Sequence, residues 1–279
     1  MKNMNIKNIF LALFLISTAA IVSSCNYKQT NKADNTEQNA ENQQEETSNV
    51  KKIVKKDSED SHARIDYDIE YLNPNDQQSI NINSAIALDM WGNEYEGDDF
   101  IQTAEKAYAS EKATIEKNLQ EDIDDFGGEY DNLEYYISRK GTFSKDASDK
   151  VITYITEIND YSGGAHGSYY KIYTNFDKQT YKKILLTDIL NTAKENEILD
   201  LMLKQLLKDN KVKTAEELME KTAILSVSDL FLTENFLIGK NGLTFHFGQY
   251  EIAPYAAGTT EITIDYTSLK PYLTGILTQ

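Results

Sequence analysis

Two short segments contain the residue types best suited to hold a ligand. The first, residues 161–170, has the sequence YSGGAHGSYY, with three glycines and one histidine within five residues. Because glycine has no side chain, such a loop can turn sharply and bring its backbone close to a ligand. We predict contacts from Tyr161, Gly163, Gly164, His166, Ser168 and Tyr169. The alternative is a tight hairpin whose glycines only supply positive φ angles, with His166 hydrogen-bonded into the core.

The second segment, residues 248–258, has the sequence GQYEIAPYAAG. It lies between two predicted strands, is long for a hairpin, and carries two tyrosines and one proline. Binding residues are concentrated in loops, and tyrosine provides a large contact area at a small cost in entropy. We predict that Tyr250, Pro254 and Tyr255 complete one binding face with the first segment.

Other chemistry has little support in the sequence. His62, His166 and His246 are too far apart to form a recognisable zinc-binding spacing. There is no Gly-x-Ser-x-Gly nucleophile elbow and no glycine loop of the Walker or Rossmann type. Acidic pairs are too numerous to single out the two carboxylates of a glycosidase. We therefore predict no cofactor, no metal and no catalytic residues, and a hydrolase acting on glycan through acidic residues is the alternative.

The N-terminus has the order of segments found in an export signal. Lys2 and Lys7 precede an apolar run at residues 9–16 and a small-residue stretch at 17–24, with Cys25 directly behind. The run is shorter than the roughly 20 residues that a membrane-spanning helix needs. VSSC, ending at Cys25, resembles a lipobox. We predict a lipoprotein signal peptide at 1–24 and an acyl anchor on Cys25 that holds an extracytoplasmic domain at the bilayer. An ordinary secreted protein with a lone cysteine is the alternative.

The chain is strongly acidic, with a formal net charge of −17 that becomes −19 once Lys2 and Lys7 are removed with the signal. Such a surface repels nucleic acid and attracts cationic partners, and the effect weakens as salt rises. The simpler interpretation of the charge is solubility. Charge therefore excludes nucleic acid as a partner and favours a basic one.

Composition divides the exported part of the chain into three segments. Residues 25–60 are rich in Asn, Gln, Glu and Lys, cannot bury enough apolar surface to fold, and are predicted to be a disordered tether. We predict an N-terminal α+β subdomain at 61–145 and a C-terminal domain at 146–279. With one cysteine in the whole chain, an intramolecular disulfide is excluded.

Periodicity indicates an α+β fold. Apolar residues alternate from residue 63 to 71, and further strands are predicted at 133–145, 151–159, 169–176, 181–186, 235–238, 243–247 and 260–265. Helical spacing predicts helices at 83–91, 98–126, 191–210 and 214–223, with a final turn at 268–273. Strands in runs with helices inserted between them favour an antiparallel sheet packed against a few helices, in one compact unit or two closely packed subdomains.

The two loop segments also carry a family resemblance. YSGGAHG at 161–167, NFD at 175–177, LLTD at 185–188 and QYEIAPYAAG at 249–258 resemble the RsiV-like domain of unknown function. That domain is the C-terminal module of the anti-sigma factor RsiV, and it precedes the catalytic domain of the peptidoglycan deacetylase PdaC. The resemblance covers roughly residues 146–277. Residues 65–90 are similar to the companion domain that usually comes before it.

The resemblance implies an extracytoplasmic binding or sensing module of the cell envelope. In RsiV the module binds lysozyme, a basic protein, which agrees with the acidic charge here. This chain shows neither the cytoplasmic segment of RsiV nor the deacetylase domain of PdaC, so the expected protein is an isolated tethered module, and nothing in the sequence points to an enzyme. Its expected ligand is a cell-wall glycan or a lysozyme-like basic protein. A structural envelope component is a further alternative.

Overall fold

The structure of the protein is a computed structural model that describes residues 49–59, 61–95, 99–125, 133–224 and 227–278. The predicted signal peptide, Cys25 and the tether up to residue 48 lie outside these residues. The part described contains a five-stranded sheet, a three-stranded antiparallel sheet and six α-helices, which confirms the predicted α+β class. No helix within it is long and apolar enough to cross a membrane.

The first sheet has the strand order β1-β2-β3-β4-β5. Its strands are β1 (Val50–Lys56), β2 (Ala63–Leu72), β3 (Tyr135–Phe143), β4 (Val151–Tyr161) and β5 (Ser168–Asp177). All neighbours are antiparallel except β2 and β3, which are parallel. The predicted antiparallel arrangement of β3, β4 and β5 is confirmed. The pair β2 and β3 is parallel because two helices lie between these strands, and a crossover of this kind returns the chain in the same direction.

Strand β1 lies inside the segment 25–60, for which composition predicts disorder. It pairs with β2 along its whole length, from Val50↔Leu72 to Lys56↔Asp66. The sequence VKKIVKK offers few apolar side chains, but a backbone ladder does not depend on them. Asp57, just after the strand, accepts a hydrogen bond from Lys112 Nζ at 2.6 Å and ties this segment to a helix.

Two helices, α1 (Gln77–Trp91) and α2 (Phe100–Asp125), cover one face of the first sheet. Helix α1 begins before the predicted residue 83 because Asp76 caps it, accepting a bond from the Ser79 backbone at 2.7 Å. Apolar side chains of both helices pack on Ile65, Tyr67 and Ile69 of β2. The resulting core is the one that the alternation in β2 predicts.

The second sheet and the remaining helices surround a second core. The sheet consists of β6 (Phe236–Ile238), β7 (Gly242–Phe247) and β8 (Thr260–Asp265). The helices are α3 (Leu186–Ile189), α4 (Glu195–Asp209), α5 (Ala215–Thr222) and α6 (Tyr266–Leu269). The predicted strand at 181–186 is wrong: Tyr181 has a φ of +57°, which interrupts extended backbone, and only a single bridge at Lys183 forms.

Asparagine side chains join the two sheets at β5 and β6. The amide of Asn235 bonds the backbone of β5, donating to Lys171 O at 2.6 Å and accepting from Tyr173 N at 2.9 Å. In return, the buried Asn175 donates to Phe236 O at 2.6 Å. The predicted division at residue 146 falls between β3 and β4, which are paired neighbours, so the first sheet takes strands from both sides of it.

Candidate ligand-binding site

The two loops singled out in the sequence meet in the structure. The first connects β4 to β5 and the second connects β7 to β8, and the asparagine bridges hold β5 against β6, the neighbour of β7. The ring of His166 stacks on that of Tyr255, with centroids 3.8 Å apart and planes 16° from parallel. Tyr250 Oη lies 3.2 Å from His166 Nε2. We call His166, Tyr250 and Tyr255 the aromatic cluster.

Two members of the aromatic cluster, His166 and Tyr250, are exposed to solvent, and Tyr255 is half-buried. His166 is exposed, so it is not hydrogen-bonded into the core as the hairpin alternative requires. Tyr250 is 61% exposed and has a φ of +67°. A bulky residue rarely adopts this left-handed conformation, and the strain costs about 1–3 kcal/mol. Strained and exposed residues of this kind are concentrated at functional sites.

Local contacts hold the second loop in shape. Glu251 Oε2 accepts a hydrogen bond from the Gly248 backbone at 2.6 Å. Pro254 precedes a single 3₁₀ turn that carries Tyr255, and Pro254 O accepts from Ala257 N at 2.9 Å. Because the turn is closed by its own hydrogen bonds, the ring of Tyr255 is held where it stacks on His166.

The glycines of the first loop do supply positive φ angles, as the hairpin alternative requires. Gly163 has a φ of +91° and Gly164 a φ of +87°. A Cβ atom on Gly163 would lie 2.8 Å from Tyr135 Oη, whereas one on Gly164 would meet nothing within 4 Å. Gly164 O also accepts from Tyr161 Oη at 3.0 Å. The glycines therefore shape the loop, and they leave His166 free to contact the second loop.

Two of the predicted site residues lie beside the aromatic cluster on β5. Ser168 begins the strand, opposite Asp160. Tyr169 follows it, and its hydroxyl donates to Glu157 Oε1 at 2.9 Å. Burial and the bond to Glu157 raise the pKa of Tyr169 to about 12. Tyr169 is therefore neutral at physiological pH and serves as a hydrogen-bonding group with an aromatic ring.

A group of four polar residues at the same end of the structure was missed by the sequence analysis. Glu261 Oε1 lies 2.8 Å from Lys171 Nζ, 2.8 Å from Tyr173 Oη and 3.2 Å from His246 Nδ1. We call these residues the Glu261 cluster. His246 directly precedes the end of β7 and is opposite Glu261 in the β7–β8 ladder, so both flank the second loop. The one sign of this group in the sequence is a histidine in the mostly apolar strand GLTFHF. The contacts between the four residues depend on strand register, which a single strand does not reveal.

The contacts of the Glu261 cluster keep Glu261 ionised and Tyr173 neutral at physiological pH. Hydrogen bonds from His246, Lys171 and Tyr173 lower the pKa of Glu261 to about 2, although burial opposes this. Burial and the bond to Glu261 raise the pKa of Tyr173 to about 12. Glu261 is thus a carboxylate at neutral pH and is not available as a general acid.

This end of the structure offers aromatic rings, hydroxyl groups and charged side chains whose hydrogen bonds are already in place. Among the described residues, no group of three or more His, Cys, Asp and Glu could hold a metal ion.

Fold and site together define an α+β protein in which two joined sheets carry an exposed aromatic cluster. Residues 171–267 match the model of the DUF3298 family, described as a protein of unknown function. The matched segment contains the second loop and the whole Glu261 cluster, and it begins just after the first loop.

Solved structures of this family have the same fold. One, a DUF3298 family member from Bacteroides fragilis, is 22% identical with a TM-score of 0.71, and the match covers 81% of this chain and 93% of that one. Another, from Pseudomonas aeruginosa, is 16% identical with a TM-score of 0.56, covering 81% and 94%. No curated protein matches the sequence.

Proposed function

We propose that this protein is a binding or sensing module of the bacterial cell envelope, anchored to the membrane through a lipidated Cys25. Its ligand is a cell-wall glycan or a lysozyme-like basic protein, bound at the aromatic cluster. The observation that carries this proposal is the stacking of His166 on Tyr255, which unites two loops distant in sequence in one exposed site.

The site is preorganised for binding. Stacking and the contact between Tyr250 and His166 hold all three rings before a ligand arrives. Less side-chain entropy is then lost on association, so more of the contact energy appears as affinity. Tyr250 keeps a strained backbone conformation and remains 61% exposed. Binding supplies a reason for it.

The site lies at the end of the first sheet opposite the first residue of β1. Val50 pairs with Leu72 at the end of β2. The start of β2 is instead aligned with Tyr135 at the beginning of β3, and that end of the sheet carries the first loop. The two ends of β2 are about 30 Å apart at roughly 3.3 Å per residue.

The alternatives receive less support. A hydrolase acting through acidic residues would need a proton donor, and Glu261, the carboxylate nearest the second loop in the ladder, is held ionised by three hydrogen bonds. A purely structural envelope component would not require side chains of two distant loops to stack at the surface. The acidic charge and the RsiV-like sequence motifs are the support for a basic protein as one of the two ligands.

Binding measurements with isolated peptidoglycan and with lysozyme test the proposal. His166→Ala and Tyr255→Ala should weaken binding about tenfold, with little change in melting temperature, because exposed loop residues contribute little to stability. Tyr181→Ala, at an exposed tyrosine outside both loops, serves as the control. Unchanged binding by both loop variants would show that the aromatic cluster is not the site. Binding to lysozyme should also fall steeply with salt, since attraction between opposite charges is screened over about 8 Å at 0.15 M.

A further inference from the structure

The first sheet has one face that α1 and α2 do not cover. On β2, Ile65, Tyr67 and Ile69 are buried under the helices, whereas the alternate residues are only partly buried. Strand register assigns the side chains of β3, β4 and β5 to the same two faces. The second sheet covers part of this side, where Tyr173 and Asn175 are buried and Asn175 bonds Phe236 O. We call the rest, which neither the helices nor the second sheet covers, the open face. It includes Tyr136, Lys140, Glu157, Tyr161, Tyr169 and Lys171.

Tyrosines form a row across the open face. Tyr136 and Tyr161 are directly opposite in the β3–β4 ladder, with ring centroids 6.1 Å apart. Tyr169 is opposite Asn159 on the next strand, and Asn159 accepts from Tyr136 Oη at 3.3 Å. Three adjacent strands at 4.7–4.9 Å spacing extend this row over about 10 Å. The row is therefore longer than a single sugar ring.

The tyrosine row is continuous with the aromatic cluster. Tyr161, at its centre, donates to Gly164 O in the first loop. Two residues later the same loop presents His166, which stacks on Tyr255. A ligand bound on the aromatic cluster is thus directed onto the open face.

Charges on the open face are paired. Lys140 lies 3.2 Å from Glu157, Lys171 lies 2.8 Å from Glu261, and the nearby Lys52 lies 2.6 Å from Asp68. The chain as a whole has a net charge of −17, so the near equality of positive and negative charges on the open face differs from the rest of the molecule. A nearly neutral surface does not attract a basic protein by long-range electrostatics.

We propose that the open face is a binding surface for a neutral polysaccharide chain that continues outward from the aromatic cluster. The negative faces of tyrosine rings attract the C–H groups of sugar rings. Ion-paired carboxylates and ammonium groups accept from and donate to sugar hydroxyls, and such charge-assisted hydrogen bonds are strong. This inference rests on the proposed function and narrows its ligand to the glycan.

The test compares two neighbouring tyrosines that point to opposite faces. Calorimetry of the full mature chain uses two probes, isolated peptidoglycan fragments and a hexamer of N-acetylglucosamine. Tyr169→Ala and Tyr136→Ala should each raise Kd about tenfold. Tyr170→Ala, at a residue 51% exposed on the helix side of β5, should leave Kd unchanged. Tyr169→Phe retains the ring and should bind nearly as the unmodified chain does, which separates stacking from the bond to Glu157.

The outcomes separate this inference from the proposed function. If Tyr169→Ala and Tyr136→Ala bind both probes normally while Tyr255→Ala does not, the open face is not involved and the loop site stands. Failure of the unmodified chain to bind either probe, together with loop-dependent binding to lysozyme, would overturn the glycan inference and leave a protein ligand. If Tyr136→Ala loses its melting transition, it has not folded, and Tyr169→Ala and Glu157→Gln then test the inference in its place. Glu157→Gln should also weaken binding.

Discussion

Gly163 and Gly164 form a matched pair for testing how the first loop is built. Both have φ angles near +90°, so alanine at either position is strained by about 1–3 kcal/mol. Part of this is offset, because alanine also restricts the unfolded chain by about 0.4–1 kcal/mol. We expect Gly164→Ala to lower the free energy of unfolding by about 1–2 kcal/mol, since its Cβ would enter open space.

Gly163→Ala should lower the free energy of unfolding by more than Gly164→Ala does, because Tyr135 lies beside Gly163. Its Cβ would lie 2.8 Å from Tyr135 Oη and 3.3 Å from Asp122 Oδ2, and Tyr135 is buried and bonded to Asp122. Overpacking of this kind costs about 1–3 kcal/mol. The expected total for Gly163→Ala is therefore about 2–5 kcal/mol.

Urea unfolding measures the change in the free energy of unfolding for Gly163→Ala and for Gly164→Ala. An unchanged m-value shows that each variant exposes the same surface on unfolding, so the two free energies can be compared. A double-mutant cycle with Tyr135→Phe removes the oxygen that the new Cβ meets, so the loss caused by Gly163→Ala should shrink when it is combined with Tyr135→Phe. Equal losses for the two glycines, or no coupling to Tyr135, would refute the assignment of Gly163 as a packing position.

Two further predictions concern the Glu261 cluster and the anchor. The pKa of Glu261 falls from its usual 4.5 to about 2 on folding, so its carboxylate stabilises the fold above pH 4.5 and this contribution is lost as the pH falls through 2. The shift would correspond to about 3 kcal/mol, which screening reduces to about 1–2 kcal/mol at a side chain that is 39% exposed. Glu261→Gln should lower the free energy of unfolding by that amount at pH 7, and the difference should vanish toward pH 2; a difference independent of pH would contradict the ionised assignment. Cys25→Ala should abolish labelling by radioactive fatty acid and release the protein from the membrane fraction, and a variant that is still labelled and membrane-bound would disprove the lipoprotein prediction.

Local patterns in the sequence were enough to predict most elements of the fold. The alternation in residues 63–71 and the apolar stripe of residues 98–126 became β2 and α2 within a few residues. Each pattern shows which side of one helix or strand faces the core, because that side is determined by residues only a few positions apart in the sequence. The prediction at 181–186 failed because β-forming residues do not reveal the positive φ of Tyr181.

Composition also identified the two loops whose residues form the aromatic cluster. Glycines around His166 and tyrosines around Tyr255 indicate loops suited to contact, and this signal is local. The stacking of one loop on the other is not local, because it requires the asparagine bridges between β5 and β6.

Tertiary structure alone decided the features that depend on strand register. Strand β1 exists because β2 offers it a ladder, and its own sequence, VKKIVKK, is too polar to predict one. The parallel pairing of β2 with β3, the open face and the Glu261 cluster likewise join residues far apart in the chain. A shift of one residue in pairing exchanges the faces of a whole strand, and sequence periodicity does not specify which strand pairs with which. The sequence by itself therefore determined the elements and the loops, and pairing between distant strands determined the surface that they form.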